Sequence, residues 1–107
     1  MVMTEDHLVA LALSLPETTE GAHFGTRDFR VRGKIFLTLP KKEFCVLKLT
    51  PDQQQMAMAT EPSRIMPVPG GWGLRGWSRV LYRDAAEKVM IDFVKLAWRN
   101  AAPKRLL

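Results

Sequence analysis

Seven cations crowd the stretch from Arg27 to Lys48: Arg27, Arg30, Arg32, Lys34, Lys41, Lys42 and Lys48. Only two acids, Asp28 and Glu43, stand among them. Phe29, Phe36 and Phe44 are interleaved. Guanidinium and ammonium groups neutralise phosphate and aromatic rings stack on bases, so these residue types suit contact with a polyanion. A solvated basic surface is the plainer meaning of the same charges. Other chemistries fail on context. Gly71-Trp72-Gly73-Leu74-Arg75-Gly76 matches GxGxxG, yet the β-prone Trp77 to Tyr82 follows where a dinucleotide site needs a helix. Read as a phosphate loop, Gly71 to Ser78 carries Trp77 at the lysine position. His23 near Glu17 and Glu20 is a weak metal or acid–base set in a turn-rich segment, and His7 falls in the first turn of a helix. Cys45 lies among Val46, Leu47 and Leu49 with no base beside it. Ser14, Ser63 and Ser78 lack a nucleophile-elbow setting. No catalytic residue, metal or cofactor is expected, and the chain does not read as an enzyme.

The elements that must position these groups follow from local signals. Thr4 caps a first helix whose stripe is Leu8, Leu11, Ala12 and Leu15, and Pro16 ends it. Thr18 to Phe24 reads as a short strand. Asp28–Val31, Ile35–Leu39 and Phe44–Leu49 form an antiparallel meander. A three-residue Arg32-Gly33-Lys34 loop sets Val31 opposite Ile35 and Phe29 opposite Leu37. It also sets Leu37 opposite Cys45 and Ile35 opposite Leu47. The other face then shows Arg30, Lys34, Phe36, Thr38, Phe44, Val46 and Lys48. Thr50-Pro51 opens a second helix to about Ala59. A Pro- and Gly-rich loop spans Glu61 to Gly71. A second hairpin, Trp72–Leu74 with Trp77–Tyr82, turns at Arg75-Gly76. The last helix takes Asp84 as cap and buries Ala86, Val89, Met90, Phe93, Ala97 and Ala101, with Trp98 at the core edge.

A chain of 107 residues that is 47% apolar suits one domain, residues 1–107. A single cysteine excludes an internal disulfide. The longest apolar run, Leu8 to Leu13, is far short of the roughly 20 residues that span a bilayer. No basic secretory flank precedes it, so the cytoplasm is the expected compartment, without a membrane. The net charge of +5 hides an asymmetry: residues 1–26 carry −4 and the rest +9. The class read from these signals is α+β: two layers, an antiparallel sheet of about five strands, and the order α-β-β-β-α-β-β-α.

The segments Leu13-Ser14-Leu15-Pro16, Phe29 to Phe36, Leu47-Lys48-Leu49-Thr50-Pro51, Gly76-Trp77-Ser78-Arg79-Val80 and Ala97 to Lys104 together resemble the MmcQ/YjbR-like proteins. The resemblance covers nearly the whole chain. It implies an antiparallel sheet with helices packed on it, similar to secretion-chaperone-like folds, and DNA binding by likeness to a double-wing domain. It brings no catalytic residues. Charge placement names Arg30, Arg32, Lys34, Lys41, Lys42, Arg75 and Arg79 as the phosphate contacts, on two hairpin tips and a sheet face, with duplex DNA as partner and the protein as a monomer. The rival is a protein-interaction or chaperone-like module that binds a partner through exposed Phe36, Phe44 and Trp72.

Overall fold

The computed structural model describes residues 2–107. Helix α1 spans Glu5–Ser14, and the Thr4 hydroxyl accepts a hydrogen bond from the His7 amide at 3.2 Å. Leu8 and Ala12 are its buried positions. Helix α2, Pro51–Thr60, opens on a full capping box: the Gln53 amide donates to the Thr50 hydroxyl, and the Thr50 amide donates to the Gln53 side chain. Proline at the first helical position has no amide to leave unpaired. Helix α4, Glu87–Ala101, buries Met90, Val94, Ala97, Trp98 and Ala101. Its N-cap is Ala86, with no side-chain cap bond. Asp84, the expected cap, instead takes a positive φ of 62° in the turn before it. Trp98 is only 6% exposed, and its indole N–H donates to the Pro16 carbonyl at 3.1 Å, which ties α4 to the end of α1.

Six strands form one sheet in the order β1-β2-β3-β4-β6-β5, every pair antiparallel. They are β1 Thr18–His23, β2 Thr26–Val31, β3 Lys34–Leu39, β4 Cys45–Lys48, β5 Ile65–Pro67 and β6 Trp77–Val80. The class is the expected α+β, with one strand more than the five counted from sequence. The β2–β3 loop has two residues, not three. Arg32 and Gly33 both take positive φ, 51° and 84°, the signature of a tight type I′ turn, and Val31 pairs with Lys34. The register then slips between Phe29 and Arg30, so that Arg30 faces Ile35 while Phe29 keeps its pairing with Leu37. This bulge turns Phe36 into the core, fully buried, and moves Ile35 to the other face. Leu37 meets Leu47 rather than Cys45.

The second expected hairpin is absent. Gly71–Leu74 forms a short helix, α3, and the strand beside β6 is Ile65–Pro67. Close packing explains the change. An added Cβ at Gly73 would lie 1.8 Å from the Val68 carbonyl oxygen, and one at Gly76 would lie 2.0 Å from that of Leu49. The chain can fold back this tightly only where side chains are missing. Gln54, buried on α2, locks the turn: its amide donates to the Ser78 hydroxyl at 2.9 Å and to the carbonyls of Gly73 and Trp77, both at 3.2 Å.

The row Phe29, Leu37, Leu47 and Ser78 is buried beneath the helices. Helix α4 packs across β3 and β4, α1 against β1 and α4, and α2 against β5 and β6. All three long helices therefore lie behind one face, and the other face is left without a helical layer. Among the described residues, no helix is long and apolar enough to cross a membrane.

Candidate functional site

The uncovered face is built from the alternate strand positions. One row crosses it as Gly21, Asp28, Thr38, Val46, Arg79 and Met66, flanked by Lys48 paired with Trp77 and by Arg30 paired with Ile35. A hollow of about 310 Å³ opens here. Ile35, Thr38 and Val46 form its floor, Val68, Trp72 and Trp77 one wall, and His23 the opposite side. Helix α3 holds Trp72 edge-on to Trp77, with ring centroids 6.1 Å apart and planes at 84°. Trp72 remains 59% exposed.

Beside the hollow, Asp28 is completely buried yet fully paired. Arg30 donates from Nε to Oδ1 at 2.8 Å and from Nη2 to Oδ2 at 3.0 Å, and His23 Nδ1 lies 2.8 Å from Oδ2. The two Arg30 bonds hold the Asp28 carboxyl below its ordinary range against the opposing effect of burial, and His23 adds to them. An ionised carboxylate only accepts, so Nδ1 carries a proton toward Asp28, and Nε2 has no hydrogen-bond partner among the described residues. Gly21 gives the pair room: a Cβ there would sit 3.0 Å from Asp28 Oδ1 and 3.2 Å from Arg30 Nε.

The seven cations named from charge placement fall into different settings. Arg30 is committed to Asp28. Arg32 stands in the β2–β3 turn, 3.5 Å from Glu17, with exposed Lys34 beside it. Arg75 follows α3 and lies over the Trp72 ring at 5.4 Å, while Arg79 lies over Phe44 at 4.8 Å. Antiparallel pairing puts Lys34, Lys48 and Arg75 toward one end of the sheet. Lys41 and Lys42 occupy the β3–β4 connection at the other end, about 17–20 Å away along a six-residue strand. Lys42 shares a polar cleft with Glu5, Asp6 and Asp84. Arg75 is not at a hairpin tip, because no hairpin forms there. The trio of His23, Glu17 and Glu20 disperses: Glu20 binds Arg27, Glu17 binds Arg105 and Arg32, and His23 binds Asp28.

Sequence reasoning missed the buried Asp28 at the centre of the face. The available signal was a charged pair at i and i+2, Asp28 and Arg30, alternating with apolar Phe29 and Val31. Cys45 is enclosed in the core, where burial pushes its thiol up to about 12. It faces away from the hollow.

Comparison with known proteins bears on the whole of this architecture. A crystal structure of Deinococcus radiodurans protein DR2400, carrying a DUF419 domain, superposes with a TM-score of 0.80 at 17% identity, covering 97% of this chain and 82% of that one. At that identity the likeness speaks for the fold alone. No curated protein sequence matches the chain. The YjbR family model matches residues 13–100, which include all six strands, α2, α3 and most of α4 but only the last two residues of α1, and the chain belongs to that family.

Proposed function

We propose that this protein binds DNA through the open face of its sheet. The observation that carries the reading is the pairing of cations with rings on the open face: Arg75 over exposed Trp72 at the hollow, and Arg79 over half-buried Phe44 beyond it. A guanidinium held over a ring keeps outward N–H groups for phosphate, and Trp72, 59% exposed, still presents ring surface that Arg75 does not cover. The one acid on this face, Asp28, is neutralised within the protein, so it does not repel a polyanion. The footprint is Arg32, Lys34, Lys48, Arg75 and Arg79. Lys41 and Lys42 stand outside it, at the far end of the sheet and near the acids of α1.

Five phosphate contacts give a fall of log affinity with log salt at a slope of about −4.5 on duplex DNA. Anisotropy titrations of a labelled duplex between about 50 and about 200 mM salt measure that slope. The Arg75→Glu/Arg79→Glu variant is expected to lose most binding, while Lys41→Glu/Lys42→Glu keeps it. Absence of binding at the lowest salt overturns the reading. A second reading, a polypeptide partner on the same face, draws on exposed Leu74 and on Phe24, whose side chain stands wholly in solvent. Its mark is association that tolerates salt and lowers the heat capacity.

A further inference from the structure

We propose that the hollow on the open face receives a single unstacked base, so that the protein prefers unpaired strands to duplex. The inference rests on the nucleic-acid reading above and specifies what enters the site. Size comes first: about 310 Å³ is at the lower limit of ligand pockets, enough for one ring system and too little for a folded segment. Chemistry comes second. The floor and one wall are almost wholly apolar, and Trp72 and Trp77 offer a ring face and edge in fixed orientation. Every base has a π-face, so stacking on indole needs no particular sequence.

A polar mark stands opposite the tryptophans. Asp28 holds the His23 ring through Nδ1, and His23 lines the side of the hollow with its second ring nitrogen, Nε2, uncommitted. All four bases carry N–H donors on their pairing edges. In a duplex those edges are occupied and the ring faces are stacked, whereas in a single strand both are free. Charge comes third. Arg75 lies against the Trp72 wall, and Arg79 pairs across to Val46 of the floor, so phosphates on either side of an inserted base meet cations. That charge favours a nucleotide over an aromatic side chain of a neutral peptide.

The test compares a labelled oligothymidylate with a duplex of equal length by anisotropy at low salt. Quenching of tryptophan emission is the second readout. Trp98, packed behind the sheet, supplies a constant background. The wild type is expected to bind the single strand at least about tenfold tighter and to lose emission on binding. Trp72→Ala removes a largely exposed ring and should weaken single-strand binding about tenfold, with duplex binding changed less than about twofold. Val46→Phe fills the floor from a partly exposed position and should act alike, with both variants melting close to the wild type. Equal losses on both strands, or no loss from either variant, overturn the base-pocket proposal and leave the DNA reading standing. Failure of the wild type to bind either strand overturns both. Free thymidine binding as tightly as the oligomer would make a free nucleoside the occupant and overturn the strand.

Discussion

Asp28 is the residue on which the open face depends. A fully buried carboxylate is tolerated because Arg30 grips both oxygens and His23 adds a third bond. Asp28→Asn is expected to lower stability by about 2 kcal/mol, the scale for losing hydrogen bonds to a charged group. Because pairing lowers the folded-state pKa below the ordinary 3.8, this stabilisation is present above about that pH and is lost as pH falls through the lowered value. Urea denaturation at pH 7 and at successively lower pH should therefore show the gap between wild type and Asp28→Asn closing in acid. Tyr82 is the opposite case. Its hydroxyl is buried with no partner, and burial pushes its pKa up to about 12. Tyr82→Phe removes a desolvated donor and should leave stability unchanged or raise it by about 1 kcal/mol, read as the shift in urea midpoint. Cys45, equally enclosed, should react with a thiol reagent only as fast as the core opens.

At the scale of elements, the two β-hairpins and the α2–α3 lock invite different substitutions. The β1–β2 turn has Phe24 and Gly25 at positive φ, 50° and 78°. A bulky side chain is poorly suited to that region, where asparagine is at home. Phe24→Asn is expected to raise stability by about 1 kcal/mol, checked by thermal melting. Gln54→Leu leaves the Ser78 hydroxyl and two carbonyls without their donor. A loss of about 2 kcal/mol is expected, with the environment of Trp72 and Trp77 altered in their fluorescence. The helices were largely legible in the sequence because their signals are local: Thr4 before α1, Pro16 after it, and Thr50-Pro51 opening α2. The bulge that inverts Ile35 and Phe36 was not, since a slip of one residue leaves no mark in a run that is apolar on both sides of it. Strand β5 was hidden too. Three residues with a terminal proline make a weak signal, and the edge position that tolerates Pro67 exists only once β6 has docked on β4.

For the whole molecule, charge was legible as an amount and not as a place. The sequence count puts an excess of nine positive charges after residue 26. Folding then spreads the cations among a turn, the two ends of the sheet, the open face, the outside of α4 and the C-terminal turn. Arg30 shows why counting falls short: it stands in the basic stretch, yet its charge is spent inside the protein on Asp28. The same pairing gives Gly21 a consequence well beyond its own strand. Alanine at this position would bring a methyl group to 3.0 Å from the buried carboxylate and 3.2 Å from the guanidinium, so that the pair must shift by a few tenths of an ångström. Arg30, the more exposed partner, would be the group to yield, loosening its grip on the carboxylate while His23 still holds Oδ2. The absence of one methyl group thus keeps the carboxylate at the middle of this face covered before an approaching phosphate chain meets it.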